Sequence, residues 1–450
     1  MLPTSGLHID QAPPLHLPLR FFATGVLLLA ATSGLLLLEG TNLLNEPLGS
    51  ANLAWVHGVV LGWLSMTMFG ALYQMIPVLA GIRVPGFGLI PWVHATWTLG
   101  VLLLAGSLWN MASAPWLISA WIMLGGALAG IVLPVGWALW QAPSRHPTVE
   151  AMRLSLLMLL LTVGLGLFFL YEHVWGFAPV DRMSLVVSHL SLGLGGWMLL
   201  LLLGVSFQVL PMFYMTAEFP RHRARWILAG LVLGVVTTPP VLLLDLPAPW
   251  RWGPWLPVMP ALTAYTFSMG ALLRQRRRRL TDATLLFWYQ GFAGLGLGVV
   301  GMLASQVMAE TPTALPLAAF VLFTCGGVGP IVLGMLHKII PFLVWFHRFS
   351  RLAGLVDIPM MDDLTPRGVV CWHPWVHGLA TLLLTLSVVL HSAPLLLLGG
   401  GVLLLSALLM GAVMIHALSR AVPSLPEPVD FASFFKDMPG MTTPGNPEDM

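Results

Sequence analysis

"HGVVLGWLSMTMFGALYQMIP", residues 57–77, contains no Asp, Glu, Lys or Arg. A run of this length and polarity crosses the hydrocarbon core of a bilayer as a helix, which takes roughly 20 residues. Its last eight residues recur twice more in altered form: "GALYQMIP" (70–77), "GVSFQVLP" (204–211) and "GMLHKIIP" (334–341). Each octet has Gly first, a polar residue fifth (Gln74, Gln208, Lys338), two apolar residues and then Pro. The leading glycines are 134 and 130 residues apart. Spacing this regular reads as internal triplication.

The whole chain follows that pattern. Its 450 residues are 57% hydrophobic and 8% charged, with a mean hydropathy of +0.87, a balance outside the range of soluble domains. Apolar runs long enough to span are read at about 20–38, 52–81, 91–109, 116–141, 151–171, 183–216, 225–244, 254–274, 282–308, 314–347, 370–391 and 394–418. The expected fold is all-α: a polytopic membrane protein of twelve transmembrane helices. Each octet falls late in an even-numbered run, so the repeat unit is four helices. Four is even, and the three units (about 20–141, 151–274 and 282–418) therefore cross in the same sense, in a pseudo-threefold arrangement unlike the inverted pairs of many transporters. The membrane domain occupies residues 1–420, and residues 421–450, rich in Pro and acidic residues, read as a disordered cytoplasmic tail.

Charge orients the chain. Connections after even runs carry Arg83, Arg145, Arg221, Arg223 and the cluster "RQRRRR" at 274–279, whereas those after odd runs carry Glu39, Glu46, Glu172, Asp181, Asp245 and Glu310. Excess Lys and Arg marks the cytoplasmic side, so both termini are expected in the cytoplasm. The arginine cluster then signals topology and implies no nucleic-acid partner. The N-terminal stretch lacks a cleavable signal pattern, and the first span is expected to remain in place. The two cysteines, Cys325 and Cys371, offer neither a disulfide framework nor a CxxC metal motif.

Histidines inside a membrane are functional candidates by default. His57 precedes its octet glycine by 13 residues and His189 precedes its own by 15, so the two share a depth and a repeat position. An imidazole pair across two helices suits axial ligation of a haem iron. Each ring alone is equally a neutral imidazole bonded to a backbone carbonyl. Gly58, Gly62, Gly193, Gly195 and Gly196 flank the pair and admit two readings: room for a macrocycle, or close helix approach. His337 stands in the third octet where Tyr73 and Phe207 stand in the others. It lies on the order of 24 Å below the His57 level at the helical rise. Nearer the cytoplasm are His94 and, at i, i+4 on one helix face, His373 and His377. With His337 these compose a candidate inner metal site, for copper or a second haem. Trp92, Trp97, Trp372 and Trp375 beside them equally fit an interfacial aromatic belt.

Twelve helices in three parallel fours, with a histidine opening span 2, resemble subunit I of the haem-copper oxidases. "HGVVLGWLSMTMFGALYQMIP" is similar to the second helix of the nitric oxide reductase and cbb3-type branches, where His followed by Gly and aromatics leads to Tyr-x-x-Pro. In length and in the short lead "LPLRFFATG" the chain is nearer the solitary, haem- and copper-containing NnrS type. The resemblance implies that His57 is a haem ligand, that the haem is b-type, and that copper is a possible second metal. It also implies a small gas ligand such as nitric oxide, with a cytochrome or quinol as electron donor, in a bacterial cytoplasmic membrane. The chain departs from the family in lacking His-x-His in span 10 and His-His in span 7, so no complete dinuclear reductase centre is expected. His189 opens span 6 as the family's copper ligand does, without its two companions. The expected function is therefore haem-based gas binding or electron transfer in nitrogen oxide metabolism, an oxidoreductase role whose catalytic residues the sequence does not name. The alternative is a permease or copper-handling protein using "QVLPMFYM" and the histidines. Intramembrane carboxylates of the kind proton pumps use are missing, and no pump is read.

Overall fold

In the computed structural model, residues 13–46, 49–110, 113–176, 181–277, 282–308 and 314–423 are described; the expected tail, from residue 424 on, lies outside them. Twelve helices are long and apolar enough to span a membrane: α1 His16–Glu39, α2 Ser50–Ala80, α3 Phe87–Asn110, α4 Ala114–Gln141, α5 Pro147–Trp175, α6 Arg182–Tyr214, α7 Arg221–Leu243, α8 Trp255–Arg274, α9 Thr284–Gln306, α10 Ala314–Arg348, α11 Arg367–Val389 and α12 Ala393–Ser419. No strand occurs among the described residues. The chain is a multi-pass, all-helical protein suited to a lipid bilayer, where only internally hydrogen-bonded segments are stable.

Burial divides the spans into two classes. The long helices α2, α6 and α10 are 83%, 67% and 89% buried over their most apolar stretch, against 28–50% for the rest. The even-numbered octet helices are therefore the centre, and the other nine surround them. Successive helices pack side by side around the bundle, and α12 packs on α1. The glycine that opens each octet faces the preceding helix. A Cβ on Gly70 would lie 2.8 Å from Phe21 Cβ of α1, on Gly204 2.0 Å from Ala151 Cβ of α5, and on Gly334 2.8 Å from Phe287 Cβ of α9. The three octets thus share a contact that only a missing side chain permits.

Each central helix also contains a π-helical stretch, with one extra residue per turn: Gly58–Ser65, Ser191–Leu199 and Thr324–Val328. These end five or six residues before the octet glycine. Such turns loosen the i→i−4 ladder and occur often at functional sites. Backbone carbonyls within them accept side-chain donors: Leu61 O takes the Trp97 indole N–H at 3.2 Å, and Cys325 O takes Thr381 Oγ1 at 3.0 Å. Between α6 and α2, Trp197 Nε1 donates to Ser65 Oγ at 2.9 Å.

Candidate functional site

His57 ends the α-helical start of α2, directly before its π stretch, and His189 sits two residues before that of α6. The fold brings them together: their ring centroids are 6.5 Å apart with planes at 33°. His57 Nδ1 lies 2.7 Å from Leu53 O. A carbonyl only accepts, so in the neutral ring Nδ1 carries the hydrogen and Nε2 keeps a free lone pair. This is the orienting bond that ligating histidines ordinarily make. His189 Nδ1 is buried without a hydrogen-bond partner. Phe169 meets the His189 ring edge-on at 5.7 Å. A Cβ on Gly166 would come within 3.2 Å of His189 Cε1, so that glycine seats the ring.

The flanking glycines serve helix approach. A Cβ on Gly58 would lie 2.2 Å from Thr32 Cγ2, on Gly62 3.2 Å from Leu28, on Gly193 3.1 Å from Thr162, on Gly195 2.8 Å from Val235 and on Gly196 2.7 Å from Met158. All five are taken up by α1, α5 and α7. They clear no room for a macrocycle, and the fit of this site to a haem rests on its donor set alone.

A second cluster joins α10, α11 and α12. His337 Nε2 is 2.9 Å from His373 Nδ1, and His373 Nε2 is 2.9 Å from Ser406 Oγ. Ser406 Oγ is 3.0 Å from His377 Nδ1, whose Nε2 is 2.8 Å from Cys325 O. The Cys325 carbonyl fixes the direction of the whole chain for neutral rings. It can only accept, so His377 Nε2–H donates and His377 Nδ1 must accept from the Ser406 hydroxyl. Ser406 then accepts from His373 Nε2–H, and His373 Nδ1 accepts from His337 Nε2–H. The acceptor left over is His337 Nδ1, which is buried with no partner. Phe287 stacks on the His337 ring at 5.6 Å and meets His373 edge-on at 5.2 Å.

The three inner histidines thus adjoin each other, as their depth suggests, but their nitrogens are strung along a polar chain through Ser406. No group of three or more His, Cys, Asp or Glu in metal-holding geometry occurs among the described residues. His94 lies apart from them, 2.9 Å from Thr24 Oγ1 and edge-on to Phe21. Cys325 is buried beside the cluster, whereas Cys371 is exposed on α11. Trp63, in the π stretch of α2, approaches His377 at 6.1 Å.

The fifth octet position is treated differently in its third copy. Gln74 Oε1 and Gln208 Oε1 are buried without partners, while Lys338 Nζ meets Asp282 Oδ2 at 2.6 Å. Burial disfavours the Asp282 carboxylate, but the Lys338 charge, its hydrogen bond and those from Thr284 outweigh that. The carboxyl is held below its ordinary range.

A chamber of about 80 Å³ lies among α2, α6 and α10. Each of these helices contributes five residues, at −3, −2, +1, +2 and +5 from its octet glycine; the +1 positions are Ala71, Val205 and Met335. Phe22 of α1, Met152 of α5 and Trp288 of α9 also line it. The sequence signal for this chamber is the octet register itself. Neither Ser406 nor the Cys325 carbonyl is marked by any motif.

Scanned against protein-family models and against curated proteins, the chain matches none.

Proposed function

We propose that this chain is a haem-binding electron-transfer protein of a bacterial cytoplasmic membrane, both termini cytoplasmic, with one iron held between His57 and His189. The facing of these two imidazoles carries the reading. Two rings ligating one ion from opposite sides, at about 2 Å each, hold their centres on the order of 6 Å apart, and these stand at 6.5 Å. The free Nε2 of His57 and the unpartnered Nδ1 of His189 supply the lone pairs. Haem contributes reversible one-electron chemistry. The protein's part is to fix the rings, through Leu53 O on one side and Gly166 and Phe169 on the other. His57 and His189 would hold the group from both sides, and a haem so held would supply electron transfer rather than gas activation. A cytochrome or quinol is the donor in this reading, and nitrogen oxide metabolism is the setting that the resemblance to the NnrS type suggests.

The same proposal includes three parallel four-helix units about an approximate threefold axis. The common depth of the π stretches, the common partner of the octet glycines and the five matching chamber positions on each central helix support it.

Oxidised and dithionite-reduced visible spectra of the purified protein, with a pyridine haemochrome assay, test the iron site. The expected result is a stoichiometric b-type Soret band that nitric oxide leaves largely unchanged, and that His57→Ala and His189→Ala each abolish. A colourless protein from haem-replete cells, or full haem retention in both variants, rejects it.

A further inference from the structure

The chamber among α2, α6 and α10 has a use that the haem reading does not require. We propose that it is a binding site for one small, uncharged, apolar molecule. Its position is specific, because the same five register points of three helices build it. Its chemistry is equally narrow. The two hydroxyls in its wall are already committed: Thr67 Oγ1 donates to Trp63 O at 2.8 Å, and Ser206 Oγ donates to Leu203 O at 2.7 Å and lies 2.9 Å from the Tyr265 hydroxyl. The remaining polar side-chain atom among the lining residues is the buried, unpartnered Trp288 indole nitrogen. One donor does not hold water, which needs two to four polar partners to stay in a protein interior.

At about 80 Å³ the space is several times the roughly 10–15 Å³ that a single water molecule needs by the same measure. Left vacant, its wall forgoes dispersion contacts. An apolar occupant restores them, and the thioethers of Met68, Met75, Met152 and Met335 give that wall its polarisability. Apolar gases concentrate in hydrocarbon, so the lipid around the bundle is their source. A charged or hydrogen-bonding ligand would find nothing here to offset its dehydration.

Xenon is the probe. Crystals of the whole protein pressurised with xenon are expected to show an anomalous peak inside the chamber. Ala71→Leu and Val205→Phe are expected to lose that peak while keeping xenon peaks elsewhere. If Val205→Phe does not fold, the smaller Val205→Ile is expected to weaken the peak, and the wild-type map is decisive by itself. A chamber that stays vacant at pressures filling other sites overturns the proposal. So does one that holds ordered water, a lipid tail or a thioether-bound silver ion. The haem spectrum is read independently, so failure of either idea leaves the other standing.

Discussion

Lys338 and Asp282 show what a single residue change does at the fifth position of the octet. Two octets place a neutral glutamine at the fifth position, and the third places a cation that the loop before α9 meets with a carboxylate at 2.6 Å. Both partners are under a quarter exposed, so removing one leaves a poorly solvated charge. Asp282→Asn is expected to lower stability by roughly 1–2 kcal/mol at pH 7, read as the shift in an SDS-unfolding midpoint. Because the folded pKa is depressed, the contribution is fully present above the unfolded value of about 3.9. It is lost as pH falls through the folded value, so the gap between wild type and variant closes only below pH about 4. A gap that persists at lower pH would assign the effect to packing. His57 and His189 were legible as a pair because they precede their octet glycines by similar spacings, and depth alone grouped His337 with His373 and His377. Ser406 was not legible. A lone serine in an apolar span has no periodicity, and its place between two rings depends on how α12 is rotated against α11.

At the scale of elements, the twelve spans follow from hydropathy, and their ends fall within four residues of the sequence reading. The π stretches do not follow, since an extra residue in a turn leaves no compositional trace beyond glycine. Glycine itself is ambiguous in sequence, because open space and close contact both call for a missing side chain. The seam between α9 and α10 separates the two cases within one helix. A Cβ on Gly294 would lie 2.1 Å from the Gly326 carbonyl group, backbone against backbone, whereas one on Gly296 meets nothing within 4 Å. Gly294→Ala must push two helices apart and is expected to cost about 3 kcal/mol. Gly296→Ala changes only helix propensity, and is expected to be neutral or stabilising by up to about 1 kcal/mol. Thermal unfolding of the two variants in the same detergent measures the contrast; equal losses would mean that the seam is not in close contact.

The whole molecule is a ring only if its last helix meets its first. That closure is invisible to local sequence, because it joins residues more than 350 positions apart and neither helix carries a motif for it. It also determines whether α2, α6 and α10 are surrounded by the other nine helices. In the structure, a Cβ on Gly400 of α12 would lie 3.0 Å from Leu36 Cβ of α1, while one on Gly401 meets nothing within 4 Å. Native disulfides hold their Cβ atoms about 3.5–4.5 Å apart, so a cysteine pair at 36 and 400 needs only a small relaxation to close. With Cys325 and Cys371 replaced, Leu36→Cys with Gly400→Cys is expected to cross-link nearly completely under mild oxidation. After cleavage at a protease site inserted between α6 and α7, the two halves would then migrate together on a non-reducing gel. Leu36→Cys with Gly401→Cys, one residue round the helix, is expected to leave them separate. Halves that separate in both cases would open the ring between α12 and α1.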